Sequence, residues 1–188
     1  MLDLGCGVGN AFWPMLQLYP TQAKVQCCDF SKKAVQFISE NPNFNPDTIN
    51  NQVCDLVNQE IPFEPQTAHF SWLIFVLSAI APENFPKVAS KIFNQLAANS
   101  YFYFRDYGRY DLAQMRFAEK GTSKIAQNFY VRQDKTRAYY FTIEEVQEIF
   151  EKAGFQCLEC KYVFRQVENR KDEKVMHRVW IQARFHKP

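Results

Sequence analysis

Short apolar segments alternate with helical segments along most of this chain, and this alternation limits the possible folds more than any other feature. The segments MLDL, KVQCCDF, INNQVCDL, HFSWLIFVLS and SYFYFRDYG are typical of strands, and HFSWLIFVLS is bulky and apolar enough for a buried parallel strand. Between two of them, SKKAVQFISEN has apolar residues at helical spacing behind Ser31, a predicted N-cap. Strands that alternate with helices predict a doubly wound parallel sheet.

The last third of the sequence predicts a different arrangement. In FTIEEVQEIFEKAG, Thr142 and Glu145 form a predicted capping box, and Gly154 ends the helix. FQCLECKYVFRQV and VMHRVWIQARF then read as two strands joined by a polar hairpin turn, ENRKDEK. We therefore predict a seven-stranded α/β sheet with an antiparallel C-terminal hairpin. A single domain would cover residues 1–188, with an irregular insert at 107–141 that contains a helix near 111–119.

Composition excludes several classes of protein. The net charge of +2 does not indicate nucleic-acid binding, so any basic surface must be local. No apolar run approaches the roughly 20 residues that span a bilayer, and we expect no membrane association. Six cysteines without regular spacing indicate free thiols in a reducing compartment. We predict no metal site, because Cys157 and Cys160 form a single CxxC and the three histidines are scattered.

The turn after the first strand is rich in glycine. Gly5, Gly7 and Gly9 follow Asp3 at the point where the first strand meets the first helix. Glycines there let the backbone turn tightly and approach a ligand closely. The turn contains no lysine or arginine and no GKS/T sequence, so it serves a phosphate-rich ligand poorly.

Two more acids end the next two strands. Asp29 follows the second strand and can hold ribose hydroxyls, and Asp55 follows the third, where a side chain can meet an adenine edge. With Asp3, they are expected at the carboxyl edge of the sheet, where open α/β folds bind ligands. Acids suit a nucleoside that carries positive charge, such as S-adenosylmethionine. The alternative is that all three acids cap helices and turns.

These motifs resemble those of known enzymes. DLGCGVGN resembles motif I of the class I S-adenosylmethionine-dependent methyltransferases. In order along nearly the whole chain, CDFS, CDL, LIFVLSAI, FRDYG, NFYVRQDKTRAYYF and YVFRQVENRK resemble the eukaryotic tRNA 3-methylcytidine methyltransferases, with the serine-tRNA branch most similar. The resemblance implies a Rossmann-like fold, S-adenosylmethionine as methyl donor, and N3 of cytidine 32 in the tRNA anticodon loop as acceptor. It also implies that Leu56, Ile74 and Phe75 help line the donor site, although by composition Ile74 and Phe75 are equally core strand residues.

The resemblance further implies that the 107–141 insert lies beside the donor site and receives RNA. The string NFYVRQDKTR has side chains for this task, because arginines pair with phosphates, aromatic rings stack on unpaired bases, and amides read base edges. The candidate RNA-binding residues are Arg105, Arg109, Arg116, Asn128, Phe129, Tyr130, Arg132, Gln133 and Arg137. The alternative is a solvated loop whose charges pair among themselves.

A carboxylate near the acceptor base would stabilise the positive charge of a 3-methylcytidine product. Asp106 at the end of the fifth strand is the first candidate, and Asp134 in the insert is the second. Asp106 could instead cap the following turn.

The sequence departs from the pattern of this family at its start. The N-terminal segment that usually precedes the first strand is absent, so we expect exposed apolar surface beside that strand. Two other functions stay open: a catalytically impaired fragment or RNA-binding remnant, and a small-molecule S-adenosylmethionine-dependent methyltransferase. The resemblance also implies tRNA and seryl-tRNA synthetase as partners and a cytoplasmic location, with the nucleus as a second compartment.

Overall fold

The computed structural model describes residues 1–19, 23–121, 123–169 and 174–188, which form ten strands and five α-helices. The strands are β1 (Leu2–Leu4), β2 (Val25–Asp29), β3 (Ile49–Val53), β4 (Ala68–Ile74), β5 (Leu96–Tyr107), β6 (Lys124–Ala126), β7 (Phe129–Val131), β8 (Arg137–Tyr139), β9 (Gln156–Asn169) and β10 (Lys174–Lys187). The helices are α1 (Phe12–Leu18), α2 (Lys32–Ser39), α3 (Phe85–Gln95), α4 (Leu112–Lys120) and α5 (Ile143–Lys152). No helix in these ranges is long and apolar enough to cross a membrane.

A seven-stranded sheet in the order β3-β2-β1-β4-β5-β10-β9 forms the centre of the fold and confirms the predicted α/β class. The first five strands are parallel, and β10 and β9 join antiparallel. Strands β2 and β3 lie on one side of β1, and β4 and β5 lie on the other. The connections therefore change direction between β1 and β4, and such a switch point places a ligand crevice outside the carboxyl ends of these two strands. Only β9 of the two C-terminal strands lies at an edge, because β10 pairs with both β5 and β9. The predicted hairpin turn falls largely on residues 170–173, outside the described ranges.

The two faces of the sheet are covered to different extents. On one face, α3 and α5 bury a large aromatic core around Phe102, Phe104 and Phe150. On the other, α1 and α2 cover a smaller cluster around Phe12 and Ile38. The part of this second face that β4 and β5 contribute exposes Phe70, Ile74, Tyr101 and Tyr103, so the expected apolar surface beside β1 is present.

Local signals set the helix ends. Ser31 Oγ accepts a hydrogen bond from Ala34 N–H at the start of α2. At α5, Thr142 Oγ1 accepts from Glu145 N–H while Glu145 Oε2 accepts from Thr142 N–H, which confirms the predicted capping box. Gly154 follows α5 with a φ of 107°, as predicted for a helix end.

The described residues of the insert form regular elements, and the prediction of an irregular segment was wrong. The predicted helix is present as α4, and β6, β7 and β8 form a separate three-stranded antiparallel sheet. Each of these strands has only three residues, too few for an alternating pattern to be visible in the sequence. Tyr130, Ala138 and Tyr140 form its core, against Tyr107 and Phe117. The string NFYVRQDKTR is therefore a β-hairpin with a buried base and a charged tip.

Candidate functional site

A cavity of about 760 Å³ lies at the carboxyl ends of the parallel strands. Its walls come from four places in the sequence: the glycine turn, the ends of β2 and β3, the segment after β4, and the tip of the β7–β8 hairpin. The lining residues are Gly5, Asp29, Phe30, Cys54–Asn58, Phe75–Val76, Ala79–Ala81, Glu83–Asn84 and Asp134–Arg137. The fold thus brings the predicted donor residues and part of NFYVRQDKTR to one cavity.

The glycine turn is shaped by close packing as well as by its backbone angles. Gly5, Gly7 and Gly9 all have positive φ, at 70°, 54° and 89°. A Cβ on Gly5 would lie 2.3 Å from Val76 Cγ2, and one on Gly9 would lie 2.6 Å from Trp13 Nε1. A Cβ on Gly7 would meet no protein atom within 4 Å, so this part of the turn faces open space. Glycine is required at Gly5 and Gly9 for steric reasons, and Gly7 leaves room for a ligand.

Asp29 holds the glycine turn in place. Its Oδ2 accepts from Gly7 N–H at 2.9 Å, and its Oδ1 accepts from Ser31 N–H at 2.9 Å. A carboxylate has about four lone-pair sites, so both oxygens keep capacity for a ligand hydroxyl. Because Asp29 also lines the cavity, its position agrees with the predicted contact to ribose.

Asp3 lies behind the turn, with 3% of its surface exposed. Its Oδ2 has no hydrogen-bond partner among the described residues. Burial raises the pKa of this carboxyl to about 7, and the charge of Asp29 adds to the effect. A cationic ligand beside the turn would lower this pKa again and favour the ionised form.

Asp55 accepts hydrogen bonds from residues of its own loop. Its Oδ1 accepts from Val57 N–H at 2.9 Å, and its Oδ2 accepts from Asn58 Nδ2 at 2.8 Å. Burial opposes ionisation of Asp55, but the hydrogen bonds from Asn58 and Val57 outweigh it and lower the pKa. The carboxylate lines the cavity while it caps this loop, so both readings of its role agree with its position. Leu56, next in the loop, is buried and presents an apolar surface to the cavity.

The segment after β4 forms the wall between the donor residues and the insert. Phe75 and Val76 leave the strand here and line the cavity. Ile74 does not line it, because strand alternation turns its side chain to the opposite face, where it lines a second cavity of about 900 Å³ with Phe70 and Tyr103. Phe75 and Val76, and not Ile74, provide the apolar surface of this part of the donor cavity.

Asp106 is fully buried behind this wall. Its Oδ2 accepts from Ser78 N–H and its Oδ1 from Tyr107 N–H, both at 2.9 Å. Burial raises its pKa to about 6. Asp106 therefore fixes the turn that carries Phe75 and does not reach the cavity, so the structure supports a positioning role instead of the predicted direct contact with a base.

Asp134, the second candidate, is exposed and lines the cavity. Its Oδ1 accepts from Thr136 Oγ1 at 2.7 Å and from Thr136 N–H at 3.0 Å. These bonds lower the pKa of the carboxyl, so it is ionised at neutral pH.

The hairpin residues divide into a buried set and an exposed set. Phe129 and Tyr130 are 3% and 4% exposed, so neither can stack on a base, and this prediction was wrong. Their side chains point to opposite faces of the small sheet: Tyr130 stacks on Phe117 of α4 at 5.8 Å between ring centroids, and Phe129 packs against Tyr139 at 6.3 Å. Asn128 begins the hairpin with a φ of 58°, and its Oδ1 accepts from Gln114 Nε2 at 3.3 Å. The exposed set is the tip, which includes Gln133 and Arg137.

The predicted arginines also differ in their surroundings. Arg109 pairs with Glu145 at 2.7 Å and donates to Tyr140 O at 2.6 Å, which gives it a structural role, and its contact with RNA stays a prediction. Arg116 is exposed on α4. Arg105 donates to Gln182, and Arg132 lies over the ring of Tyr107 at 4.8 Å from its centroid. Arg105 and Arg132 have no carboxylate within 4 Å in the described part of the chain.

The cavity fits a positively charged nucleoside. Asp29 offers acceptor oxygens, Leu56 and Val76 offer apolar surface, and Gly7 leaves open space. Sequence reasoning missed Phe30, which lines the cavity with 79% of its surface exposed. An apolar residue directly after a strand-ending acid was the available signal. It also missed Lys135, whose positive φ of 66° belongs to the hairpin tip.

A doubly wound sheet with a glycine turn after β1 and acids after β2 and β3 defines a nucleoside-binding α/β protein. Within this class, residues 1–99 match the family model described as a methyltransferase domain. The chain belongs to the methyltransferase domain family.

Curated relatives match over the whole chain. It is 38% identical over 190 residues to the tRNA N(3)-cytidine methyltransferase METTL6 of Homo sapiens and covers 66% of that protein. It is 41% identical over 191 residues to the tRNA N(3)-cytidine methyltransferase METTL2 of Gallus gallus, with 51% covered. It is 40% identical over 191 residues to O-methyltransferase 3 of Dictyostelium discoideum, with 44% covered. The chain spans about half to two thirds of the length of these relatives.

Solved structures share the fold. A SAM-dependent methyltransferase from Methanosarcina mazei superposes with a TM-score of 0.76 at 18% identity, over 99% of this chain and 91% of that one. Human N-acetylserotonin methyltransferase in complex with SAM superposes with a TM-score of 0.64 at 17% identity, over 100% of this chain and 47% of that one. At these identities the likeness is one of fold alone.

Proposed function

We propose that this protein is a tRNA methyltransferase that transfers a methyl group from S-adenosylmethionine to N3 of cytidine 32 in the anticodon loop. The observation that carries the proposal is the composition of the cavity's two sides. One side has the glycine turn with Asp29, which suits a cationic nucleoside, and the other has the hairpin tip with Lys135 and Arg137, which suits a polyanion. The names and identities of METTL6 and METTL2 support the same reaction.

The reaction makes few demands on the protein. Bound at the glycine turn, the donor supplies an electrophilic methyl group on a sulfonium. Cytosine N3 has a free lone pair, so it can form the new N–C bond without a general base. The C–S bond breaks with its electron pair on sulfur, the positive charge moves to the methylated ring, and no proton is transferred. The protein must align the two reactants and accommodate the moved charge.

Each side of the cavity contributes to these tasks. Asp29 and the glycine turn hold the nucleoside of the donor. Asp134 is the ionised carboxylate on the acceptor side, and it can stabilise the cationic product. Asp106 acts through the backbone of the turn after β4, which it keeps rigid. Arg137 and Lys135 contact phosphates of the RNA.

Two measurements on the purified chain test the proposal. Calorimetric titration with S-adenosylhomocysteine measures donor-site binding. Transfer of tritiated methyl groups to unmodified tRNA, followed by nucleoside analysis, measures the reaction. We expect binding, and label in 3-methylcytidine. A matched tRNA with uridine in place of cytidine 32 serves as the control and should stay unlabelled. Binding without any label in tRNA would contradict the proposal.

The O-methyltransferase name of the Dictyostelium relative favours one other acceptor class, a small molecule with a hydroxyl group. The hairpin tip would then act as a cover for the cavity. Methyl transfer to a panel of small phenols, measured with and without added tRNA, separates the two functions. An O-methyltransferase should label the phenols, and added tRNA should not inhibit that labelling. The tRNA enzyme should leave the phenols unlabelled.

The proposal extends to a partner and a location. Seryl-tRNA synthetase is the proposed protein partner, as the resemblance implies, and co-purification of the two proteins with and without serine tRNA tests it. Cytoplasmic localisation, with the nucleus as a second compartment, is proposed on the same ground and is tested by imaging a tagged chain.

A further inference from the structure

Three aromatic side chains meet where the parallel strands β4 and β5 end, beside the middle of the antiparallel strand β10. The ring centroid of Phe75 lies 4.9 Å from that of Tyr107 and 5.4 Å from that of Trp180. Tyr107 and Trp180 are direct cross-strand partners, so their side chains stand on the same face of the sheet. All three residues are partly exposed, unlike the buried Phe129 and Tyr130. We call Phe75, Tyr107 and Trp180 the aromatic cluster.

The backbone of Phe75 is strained. Its φ is 58°, in the left-handed region that a bulky residue rarely adopts and that costs about 1–2 kcal/mol. The conformation is held from both sides: Phe75 N–H donates to Arg105 O at 2.8 Å, and Asp106 holds the next turn through Ser78 N–H. Strain that the surroundings enforce at a cavity wall indicates a functional constraint on that residue. Here it directs the Phe75 ring between the cavity and the two other rings.

Three guanidinium groups surround the cluster. Arg132 and Arg178 lie 4.8 and 5.5 Å from the ring centroid of Tyr107, and Arg105 lies 5.7 Å from that of Trp180. Arg178 is neutralised by Asp111 at 2.8 Å. Arg105 and Arg132 have no carboxylate within 4 Å in the described ranges. Cations without a carboxylate partner beside partly exposed rings suit a ligand that combines a flat ring with negative charge, which describes a nucleotide.

The position of the cluster excludes the donor's own base as this nucleotide. Asp29, Asp55 and Leu56, which form the nucleoside side of the cavity, lie at the ends of β2 and β3. The cluster lies on the other side of β1, at β4, β5 and β10. Phe75 belongs to both places, because it lines the cavity and contacts Tyr107 and Trp180. A ring that binds there would lie next to the reactive part of the donor, as an acceptor must.

We propose that the aromatic cluster receives the unpaired target base of the RNA, with the Phe75 ring stacked on that base and Arg105 and Arg132 on the flanking phosphates. The proposal rests on the proposed function, since it locates the acceptor within the same site. The sequence predicts base stacking for Phe129 and Tyr130, which are buried. The proposal assigns this role instead to the aromatic cluster, which is partly exposed. Base stacking on an aromatic side chain contributes roughly 1–3 kcal/mol per base.

The test uses the full chain, saturated with S-adenosylhomocysteine, and an anticodon stem-loop RNA that carries the fluorescent base pyrrolo-cytosine at position 32. Stacking should quench its fluorescence in the wild-type complex. In Phe75→Leu we expect the quench to be lost and kcat/KM for tRNA to fall roughly 5- to 150-fold. The dissociation constant of S-adenosylhomocysteine should change less than about threefold, since leucine keeps an apolar side chain in the cavity wall. Phe75→Tyr should restore both the quench and the rate.

Phe70→Leu is the matched control. Phe70 is an aromatic residue of β4, the strand that precedes Phe75, and it is 45% exposed at the second cavity away from the donor site. We expect this variant to keep the wild-type quench and rate. Arg132→Gln gives an independent reading if Phe75→Leu folds poorly, because its side chain lies on the surface of the cluster. It should reduce the dependence of RNA binding on salt concentration, with a log–log slope lower by about 0.7–0.9.

The outcomes separate this inference from the function on which it rests. If the wild type methylates tRNA and Phe75→Leu does so within twofold of it, the base does not stack on Phe75 and the inference fails. It also fails if S-adenosylhomocysteine affinity falls as much as kcat/KM, because Phe75 would then only shape the donor cavity. If the wild type does not methylate tRNA but the quench appears and depends on Phe75, the base-binding site stands and the proposed reaction fails.

Discussion

The glycine-turn side of the cavity is built from backbone, whereas the hairpin side is built from side chains. On the first side, Gly7 N–H bonds to Asp29 and Gly5 N–H bonds to Cys28 O at 2.8 Å, with no space for a Cβ on Gly5. On the second, the exposed tip from Gln133 to Arg137 presents its side chains to the cavity, and the hairpin's base is anchored by buried rings.

Substitutions on the two sides of the cavity should therefore have different effects. A change on the glycine-turn side alters the path of the chain, so it should affect donor binding and stability together. A change at the hairpin tip alters only a side chain in solvent, so it should affect RNA affinity and leave the fold intact. The following predictions test that separation, from the largest expected effect to the smallest.

Gly5→Ala should abolish donor binding. Its Cβ would overlap Val76, which costs about 1–3 kcal/mol, and its φ of 70° adds about 1–2 kcal/mol. Together these reduce the affinity for S-adenosylhomocysteine roughly 1,000-fold, measured by calorimetry. Gly121→Ala is the control, because its φ of 66° is similar but its Cβ would meet no atom within 4 Å. It should lose stability and keep donor affinity; equal losses in both variants would mean that the contact with Val76 is irrelevant.

The stability of the protein should fall as pH rises, because of the glycine-turn side. The pKa of Asp3 is about 7 in the folded state and 3.8 ordinarily, so the folded state keeps a proton that the unfolded state releases between these values. Asp106, at about 6, acts in the same direction. We expect the free energy of unfolding in urea to decrease by about 3 kcal/mol from pH 5 to pH 7.5. Asp3→Asn should flatten this dependence.

The hairpin side supplies the contrast for this pH dependence. Asp134 is exposed and its pKa is lowered, so its titration lies below the tested range. Asp134→Asn should therefore leave the profile between pH 5 and pH 7.5 unchanged. If Asp134→Asn altered the pH dependence of the free energy of unfolding and Asp3→Asn did not, the hairpin side and not the glycine-turn side would control it.

Asp29→Asn should weaken donor binding about 30-fold. The amide lacks the second acceptor oxygen, so either Gly7 N–H or Ser31 N–H loses a hydrogen bond to a charged group, which contributes about 2 kcal/mol. Calorimetry with S-adenosylhomocysteine measures the loss. Asp47→Asn, an exposed aspartate after α2, should bind like the wild type. A twofold change or less in Asp29→Asn would show that the turn holds its shape without this carboxylate.

Arg137→Gln should have the smallest effect and affect RNA alone. Arg137 lies at the exposed edge of the hairpin tip, where its loss removes one phosphate contact worth about 1 kcal/mol, or roughly fivefold in tRNA affinity. The thermal midpoint and the donor affinity should stay unchanged. Filter binding of tRNA at several salt concentrations measures the affinity, and a drop in the thermal midpoint would mean that the tip also supports the fold.

Local signals explain why much of the fold and the donor side could be predicted. The capping box at Thr142 and the N-cap at Ser31 act within four residues, so their sequence spacing is sufficient evidence. The hairpin could not be predicted, because strands of three residues carry no visible period. The sequence predicts RNA contacts for Phe129 and Tyr130 because it does not show that Tyr139 covers the first ring and α4 the second. Asp106 was placed in the site because a strand-ending acid commonly faces the crevice, but the turn through Ser78 closes over it.

By itself, the sequence determined the strands and helices of the seven-stranded sheet, the glycine turn and the acid that holds it, because backbone angles, helix caps and burial patterns are local properties. Only the tertiary structure decided which side chains of the insert face solvent and which aromatic residues gather around Phe75. Those choices depend on contacts between segments far apart in the chain, such as Phe75 with Trp180 and Tyr130 with Phe117. A side chain's residue type fixes what it can bind, and the packing of distant segments fixes whether a ligand can reach it.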